Sequence, residues 1–484
     1  MKKTIADILL LVLLAACTPT PQEVVRVDED VPMYPDYTDV TIPVNIAPLN
    51  FLLRGEGVEA VCVYADDEVI FSGRGNEVVM DLDDWKEMMK RKVGKDIKVR
   101  VCAKTDGKWK EYRSFVWSVV ADEVDAYLTY RLIEPDYEVF NNLVLQERCV
   151  ENFDTKNFCD YRKVGNKCMN CHNYAGQSPE RSMFYVRGEG GGAILNENGN
   201  LIKLNLKAED MVTGSVYYGF SPDKRFVVFS TNVIIPAFHS QGSKRLEVFD
   251  TKSDVYAADL VNHTFIRSEL LSDSTQSETF PTFSPDGKYV YYCTAQALDS
   301  LGDLKHQRYS LCRIEAPKEG KAEFGTVVDT IYNGREEGKS VCHPRISPDG
   351  RFLVFSTADY GTFPIWHREA QLEIMDLSTM EHRPMKLEGK TKNVGSDSYH
   401  SWSSNSRWMV FASKRDDGLY GKPYFTYINK KGVCSKPFVL PQAHPTFYDN
   451  CLKSFNAPEL GTGPLPFDAD DVRKAMGEKG VDFE

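Results

Sequence analysis

Four related stretches of sequence decide the fold of this chain. They read GFSPDKRFVVFST (219–231), TFSPDGKYVYYCT (282–294), RISPDGRFLVFST (345–357) and the more divergent SWSSNSRWMVFAS (401–413). In the first three copies, Ser-Pro-Asp followed by Gly or Lys favours a tight turn, and alternating apolar residues flank this turn on both sides. Each copy therefore predicts a β-hairpin.

The spacing of the copies predicts the architecture. The serines that open the turns, Ser221, Ser284, Ser347 and Ser403, are 63, 63 and 56 residues apart. Each interval has room for the hairpin and two further strands, such as those indicated at 309–314 and 371–376. Four-stranded units that recur at this period are typical of β-propeller blades, which bury their faces by stacking on neighbouring blades.

The hairpins resemble the PxFSPDGxxIxF repeats of TolB-like β-propellers, a WD40-like or PD40 type. The resemblance covers about residues 183–460, and it is weakest at 404–406, where Ser-Asn-Ser replaces Pro-Asp-Gly. It implies a propeller of six blades, with seven as the alternative. Among such proteins, the chain is similar to lipoproteins of Bacteroidetes type that carry a cysteine motif ahead of the propeller.

The fold class expected for the whole chain is mainly β. Short alternating runs between 41 and 120 predict a small sandwich, with one helix at 83–91. The expected order is a signal peptide (1–16), a tether (17–40), an Ig-like or fibronectin-like β-sandwich (41–120), a segment of helical turns and loop with a cysteine motif (121–182), the TolB-like β-propeller (183–460) and a C-terminal tail (461–484).

The first residues predict export. Lys2 and Lys3 precede the apolar stretch 8–14, which is too short to span a bilayer as a helix. The sequence LAAC that ends at Cys17 resembles a bacterial lipobox, which implies cleavage before Cys17 and its lipidation. An ordinary secretory signal with a chance cysteine is the alternative. Thr18, where Asp would favour inner-membrane retention, favours anchoring in the outer membrane, facing the periplasm.

The overall charge restricts the partners. The formal net charge is −12, which argues against nucleic acid or anionic lipid headgroups as the main partner. Lipid chains on Cys17 would supply membrane attachment without a transmembrane helix.

One motif carries candidate cofactor chemistry. Residues 167–173 read KCMNCHN and place Cys168, Cys171 and His172 in the C-x-x-C-H spacing of c-type haem attachment. In such a site the two thiols bond the haem vinyl groups, and the histidine binds the iron. The sequence therefore predicts one covalent haem c, with His172 as the proximal iron ligand.

Other interpretations of these cysteines stay open. Cys149, Cys159, Cys168 and Cys171 could hold zinc, although their spacing is not that of common zinc modules. A dithiol exchange site is a second alternative, although no βαβ pattern surrounds it. A structural disulfide is the third.

The sixth iron ligand has several candidates. His343 and His400 come just before innermost strands of the expected propeller, so both should lie near the mouth of its central channel. Met183 is a weaker alternative, as is Met211, and a thioether ligand would raise the reduction potential relative to a second histidine.

These features favour single-electron transfer by a membrane-anchored, mono-haem cytochrome-like protein with a redox partner protein. The alternative function is a TolB-like binding module that holds an envelope protein on the propeller loop face. In that case the haem would be structural or a redox or gas sensor, or zinc would replace it. Either function makes the chain an electron carrier or binding protein rather than a catalyst.

Overall fold

The chain forms two compact units. The computed structural model describes residues 19–134, 142–238, 246–298, 300–388 and 395–484. The first unit comprises residues up to 123 together with 151–153 and 438–451, and the second comprises 124–150, 154–437 and 452–484. The predicted signal peptide and Cys17 lie outside the described residues.

Helices are few in the described ranges. The α-helices are α1 (Leu82–Arg91), α2 (Gly334–Glu337), α3 (Phe447–Asn450) and α4 (Ala469–Gly477), and short 3-10 turns lie at Glu269–Leu271, Leu301–His306 and Pro364–Trp366. None of the helices in these ranges is long and apolar enough to cross a membrane.

The first unit contains two β-sheets and α1. Its strands are β1 (Val25–Arg26), β2 (Met33–Tyr34), β3 (Val40–Pro43), β4 (Phe51–Leu53), β5 (Val58–Ala65), β6 (Glu68–Arg74), β7 (Glu77–Val78), β8 (Asp96–Thr105), β9 (Lys108–Glu111), β10 (Phe115–Val120) and β33 (Phe438–Val439). The larger sheet has the order β1-β9-β8-β10-β3, with β5 and β6 extending from β8, and the smaller sheet has the order β2-β4-β7.

Helix α1 forms where the sequence predicts it and closes the core of the first unit. The side chain of Asp81 accepts hydrogen bonds from the first backbone N–H groups of α1. The Trp85 indole donates to the carbonyl of Ile46 at 2.8 Å, and its ring meets Trp117 edge-on at 5.5 Å. The hydrogen bond gives the indole N–H of this buried tryptophan an acceptor, and the ring contact packs its apolar part.

The predicted tether 17–40 differs from the structure. From Val25 onward it supplies strands β1, β2 and the start of β3, which pairs in parallel with β10. Met33 and Val40 are buried, so this segment packs as part of the first unit rather than as a free linker.

The second unit has a β-propeller-like architecture of antiparallel sheets. Its strands are β11 (Tyr127–Ile133), β12 (Val144–Cys149), β13 (Thr155–Asp160), β14 (Met169–Ala175), β15 (Ser178–Val186), β16 (Gly192–Glu197), β17 (Asn200–Asn205), β18 (Ser215–Phe220), β19 (Phe226–Phe238), β20 (Leu246–Asp259), β21 (Thr264–Ile266), β22 (Gln276–Phe283), β23 (Tyr289–Gln296), β24 (Ser310–Glu315), β25 (Val328–Tyr332), β26 (Ser340–Ile346), β27 (Phe352–Ala358), β28 (Gln371–Asp376), β29 (Glu381–Pro384), β30 (Asp397–Trp402), β31 (Trp408–Ser413), β32 (Lys422–Tyr427), β34 (Ser454–Gly461) and β35 (Val481–Asp482).

These strands form six sheets in a regular succession. The orders are β13-β12-β11-β34, β14-β15-β16-β17-β35, β18-β19-β20-β21, β22-β23-β24-β25, β26-β27-β28-β29 and, within this unit, β30-β31-β32. The first of these sheets joins strands from both ends of the unit, because β34 pairs with β11.

Two predicted segments differ from the structure. Residues 121–182 form strands β11 to β14 instead of helical turns and loop. In β11, the consecutive residues Leu128, Thr129 and Tyr130 are all buried. A strand that is buried on both faces need not alternate apolar with polar residues, so the sequence lacks the usual pattern of a strand here. The predicted tail 461–484 includes α4 and β35, and its residues Leu465 and Phe467 are buried in the unit's core.

The Ser-Pro-Asp turns are held by the hydrogen bonds that their sequence predicts. The Ser347 hydroxyl donates to Asp349 at 2.6 Å and accepts from the backbone N–H of Phe352 at 2.9 Å. Equivalent bonds are made by Ser221 and Ser284. In the divergent copy, the Ser403 hydroxyl accepts from the backbone N–H of Asp125.

Candidate functional site

Six strands of the second unit share one irregularity. A β-bulge occurs in the first strand of five sheets, namely β14, β18, β22, β26 and β30, and in β34, the final strand of the remaining sheet. One residue in each strand has a positive φ angle: Cys171 (59°), Tyr217 (54°), Phe280 (53°), His343 (53°), Tyr399 (39°) and Ala457 (49°). Positive φ is uncommon outside glycine, so a repeat at equivalent positions marks a shared structural feature.

The six residues line one cavity of about 70 Å³. We call them the channel ring and their strands the inner strands. The aromatic members are in contact, with ring centroids 4.5 Å apart for Tyr217 and Phe280, 4.0 Å for Phe280 and His343, and 4.6 Å for His343 and Tyr399. Cys171 and Ala457 complete the ring with small side chains.

A second layer lies two residues further along each inner strand. Its members are Asn173, Gly219, Thr282, Arg345, Ser401 and Glu459. They line a cavity of about 350 Å³ that opens among the Ser-Pro-Asp turns, and we call this cavity the vestibule. Asn173, Thr282, Arg345 and Glu459 also line the smaller cavity, so the two spaces are contiguous.

Arg345 and Glu459 form an ion pair between these two cavities. Burial raises the pKa of Glu459 to about 7, although the Arg345 guanidinium opposes this rise. The Trp402 indole donates to the carbonyl of Arg345 at 3.1 Å. The wall of the channel thus offers charged and polar hydrogen-bonding groups at a fixed place.

The motif predicted to bind haem lies at the inner strand β14. Cys171 belongs to a core cluster with Met183, Leu195 and Tyr218, whereas Cys168 packs against a different cluster. Cys168 lies just before β14, and the β-bulge at Cys171 interrupts the regular alternation of this strand. The cavity that Cys171 lines has a volume of about 70 Å³, well below the roughly 300–1,000 Å³ of typical ligand pockets.

His172 lines the same cavity as Cys171 and also borders a smaller void of about 10 Å³. Its ring lies edge-on to Phe158 at 6.3 Å. Burial lowers the pKa of His172 to about 4, although backbone groups of Thr129 and Ala457 near the ring oppose this shift. Neither ring nitrogen is in hydrogen-bonding geometry with a described residue. In this structure the cavities beside Cys171 and His172 are too small for a porphyrin.

Two of the candidate distal ligands lie beside His172, because His343 lines the same cavity and Met183 borders the same small void. His343 belongs to the channel ring, and burial lowers its pKa well below the usual value. His400 is buried, and its Nε2 lies 3.0 Å from the carbonyl of Val354. Met183 lies in the core cluster of Cys171, together with the second thioether candidate, Met211.

The zinc alternative finds no support in the geometry. Within the described ranges, no group of three or more His, Cys, Asp or Glu side chains is placed to hold a metal ion. Cys149 and Cys159 lie on neighbouring strands, where Cys149 pairs with Tyr127 and Cys159 pairs with Leu145.

The channel ring was missed by the sequence analysis, although a signal for it exists. Tyr217, Phe280, His343 and Tyr399 each come four residues before the serine of a repeat. The recurrence of large rings at this offset could have identified the ring. Cys171 and Ala457 lie outside the repeats and carry no such signal.

Comparisons with known proteins add little beyond the fold. No protein-family model and no curated protein matches the chain. Similar solved structures include prolyl oligopeptidase B from Galerina marginata, bound to a 35mer hydrolysis and macrocyclization substrate (14% identity, 65% of this chain, 44% of that chain, TM-score 0.38). A puromycin-hydrolyzing peptidase from Mycobacterium tuberculosis shares 10% identity over 86% of this chain and 57% of that chain, with a TM-score of 0.35. A DUF4784 family protein from Bacteroides caccae shares 9% identity over 74% of this chain and 95% of that chain, with a TM-score of 0.30. The chain spans about half the length of the two peptidases.

Proposed function

We propose that the second unit is a six-bladed β-propeller that works as a binding module, and that its vestibule takes a polypeptide segment of an envelope protein. One observation carries this proposal. Each of the six inner strands contributes at least one residue to the wall of the vestibule, so all six sheets of the unit border this cavity. Concave sites with a few convergent polar groups are the usual form of a binding site.

The lining of the vestibule suits a polypeptide segment. Asn173, Thr282 and Ser401 offer amide and hydroxyl groups that can bond with peptide groups. Four apolar side chains, Phe220, Phe283, Ile346 and Trp402, lie beside them. Aromatic residues with a few hydrogen-bonding groups are typical of the centre of a protein–protein interface.

The location is part of the proposal. We propose that lipidation of Cys17 anchors the protein in the outer membrane, facing the periplasm. The net charge of −12 favours a basic partner, and its association rate should fall as salt rises. Replacement of Cys17 by Ser should release the protein from the membrane fraction. Unchanged membrane attachment of this variant would contradict the anchor.

Electron transfer is not part of the proposal. The haem was predicted from the spacing of Cys168, Cys171 and His172, and the cavity beside Cys171 and His172 is too small for a porphyrin. The binding module, which the sequence analysis gave as the alternative function, needs neither haem nor zinc.

A photo-crosslinking experiment tests the binding proposal. A photoreactive amino acid at Gln177, on the rim of the vestibule, should capture a defined envelope polypeptide in the native host. Thr282→Trp, which fills the vestibule, should abolish the crosslink. The matched control is Thr264→Trp, since Thr264 lies on the outermost strand of its sheet and is also half-buried. A crosslink that persists in Thr282→Trp, or no crosslink at all, would overturn the proposal.

A further inference from the structure

One of the four repeat turns has a charged residue where two others have glycine. The last residue of each turn is, in chain order, Lys224, Gly287, Gly350 and Ser406. All four have a left-handed backbone conformation, with φ angles of 61°, 70°, 74° and 62°. This conformation is unfavourable for a residue that has a Cβ atom, so glycine is the expected choice. The turn therefore keeps Lys224 at a cost in conformational free energy.

The two non-glycine residues at this position differ in what their side chains contact. The Ser406 hydroxyl accepts a hydrogen bond from the backbone N–H of Asp349 at 2.9 Å, so this serine stabilises a neighbouring turn. The Lys224 side chain makes no ion pair or hydrogen bond within the described ranges, and it lines the vestibule. A strained residue without a compensating contact in the fold favours a functional reason for its presence.

Arg345 is the second basic residue in the wall of the vestibule. It belongs to the second layer, in which four of the other inner strands have an uncharged residue, namely Asn173, Gly219, Thr282 and Ser401. Its Nη2 donates to Glu459, and the guanidinium makes no other hydrogen bond with a described residue. Because a guanidinium has five N–H donors and this side chain is 31% exposed, Arg345 can still donate to an oxygen atom in the cavity.

The charge of the vestibule wall is opposite to that of the whole chain. Among the described residues of the wall, the charged ones are Lys224, Arg345 and Glu459, two positive and one negative. The chain as a whole has a formal net charge of −12. Burial raises the pKa of Glu459 to about 7, so this carboxylate is partly neutral near that pH. A positively charged cavity in an acidic protein favours a negatively charged ligand group.

The carboxylate next to Lys224 in the chain belongs to a different cavity. The Asp223 side chain accepts hydrogen bonds from the Ser221 hydroxyl and from the backbone N–H of Arg225, the second at 3.1 Å. Asp223 lines a groove of about 700 Å³ between two turns, and Lys224 is not part of the wall of that groove. Asp223 therefore does not take the place of an acidic partner for Lys224 inside the vestibule.

We propose that the vestibule binds a carboxylate group of its polypeptide ligand, held by Lys224 and Arg345. This inference rests on the proposed function, because it names the chemistry that the same cavity recognises. An acidic side chain and a chain terminus both offer a carboxylate, and both bond an ammonium and a guanidinium in the same way. A partner that is basic overall would present this acidic group to the vestibule alone.

Peptide binding to the purified chain tests the charge preference. Fluorescence anisotropy compares labelled peptides with blocked termini that alternate glycine with glutamate, glutamine or lysine. The glutamate peptide should bind about fivefold more tightly than the glutamine peptide, the effect of one partly exposed ion pair. The lysine peptide should bind most weakly, although the net charge of the chain favours it.

A further peptide distinguishes the two sources of the carboxylate. It has the glutamine sequence and a free C-terminus. Tighter binding of this peptide than of its blocked form indicates that the vestibule takes a chain terminus. Tighter binding of the glutamate peptide alone indicates an acidic side chain.

Substitution of Lys224 tests its role without disturbing the fold. Lys224→Gly gives the turn the residue of its two counterparts, so the Tm should stay unchanged or rise. Binding of the preferred carboxylate peptide should weaken about fivefold, whereas Lys224→Arg should retain it. The matched control is Lys288→Gln, which removes the same charge from the neighbouring turn, outside the wall of the vestibule.

Arg345 is tested by Arg345→Gln, which should weaken binding of the same peptide about tenfold. This substitution also leaves Glu459 without its ion-pair partner, so the Tm is measured alongside. Lys224→Gly carries the test if Arg345→Gln unfolds.

Two results would overturn the proposal. One is that neither carboxylate peptide binds more tightly than the blocked glutamine peptide. The other is a preference for carboxylate that survives unchanged in Lys224→Gly. In the native host, a crosslink at Gln177 that forms equally well in Lys224→Gly would reject the carboxylate and keep the binding module. Absence of that crosslink, with intact binding of a carboxylate peptide, would reject the envelope partner and keep the carboxylate site.

Discussion

Cys168 and Cys171 pack against different hydrophobic cores, although only two residues separate them in the chain. This relationship decides how the C-x-x-C-H motif is interpreted. In a c-type cytochrome, both thiols and the histidine serve one porphyrin. Here Cys171 and His172 line a cavity of only about 70 Å³, and Cys168 packs against another core cluster.

The first prediction concerns haem attachment. When the chain is produced together with a cytochrome c maturation system, we expect no covalent haem, because the cavity beside Cys171 and His172 is too small for a porphyrin. A haem-stained denaturing gel and the intact mass measure this, with an authentic c-type cytochrome as the positive control. A mass increase of one haem that disappears in Cys171→Ala would contradict the structure.

The second prediction compares two buried histidines. Neither ring nitrogen of His172 makes a hydrogen bond within the described ranges, so His172→Leu should leave the free energy of unfolding unchanged or raise it by about 1 kcal/mol. His400 is bonded to the carbonyl of Val354, so His400→Leu should lower it by about 1–3 kcal/mol. Urea denaturation measures both. Strong destabilisation by His172→Leu, with little effect of His400→Leu, would contradict this prediction.

The third prediction concerns Asp250, which is buried and accepts a hydrogen bond from Asn232. Burial raises its pKa from 3.8 to about 8. Between pH 3.8 and about pH 8 the folded state binds this proton more tightly than the unfolded state, so the free energy of unfolding falls as the pH rises. The slope from this group is at most about 1.4 kcal/mol per pH unit.

Asp250→Asn tests this dependence, because asparagine keeps the acceptor without the titration. The difference in unfolding free energy between pH 5 and pH 8 should shrink in the variant. The exposed Asp329, paired with Arg313, supplies the control Asp329→Asn, which should leave the difference unchanged. Equal pH dependence in Asp250→Asn and the unsubstituted chain would show that Asp250 is ionised throughout.

The fourth prediction concerns the long hairpin of β19 and β20. Glu247 lies on β20 and contacts His367 at 3.1 Å and the Tyr360 hydroxyl at 2.9 Å. Glu247 and His367 are almost fully buried, so Glu247→Ala should lower the free energy of unfolding by about 3–5 kcal/mol. Chemical denaturation measures the loss. Glu315→Ala, at an exposed pair with Lys318, should have a much smaller effect. Similar losses in the two variants would contradict this.

Acid should weaken a second contact of His367, the one with Glu369. Burial acts to raise the pKa of Glu369, but the hydrogen bond with His367, the charge of His367 and backbone hydrogen bonds at Glu369 and Asp359 together outweigh it and lower the pKa to about 2. This carboxylate stabilises the fold above its ordinary pKa of 4.5, and that stabilisation is lost as the pH falls from 4.5 toward 2.

The hairpins and helix α1 could be predicted because their signals are local. The Ser-Pro-Asp turns contain their own hydrogen-bonding groups, as Ser347 and Asp349 show. Helix α1 begins directly after Asp81, a residue type that favours helix N-termini. The propeller-like architecture follows from these repeats, since a hairpin with a fixed period has to stack on its neighbours.

The site was harder to predict because it depends on irregular backbone. A β-bulge at Tyr399 shifts the alternation of side chains in β30. His400 therefore faces strand β27 of the adjacent sheet instead of the channel. The strand β14 could not be predicted from the sequence for another reason. Its sequence carries a motif that is typical of haem attachment, and it has no Ser-Pro-Asp turn after it.

The pairing of β34 with β11 has a consequence for biosynthesis. Until Ser454–Gly461 has been synthesised, the strand Tyr127–Ile133 has one edge without its native partner. Unpaired strand edges are sites where chains associate wrongly. The emerging polypeptide must therefore be protected along this edge, and a product that ends before Ser454 should aggregate rather than fold.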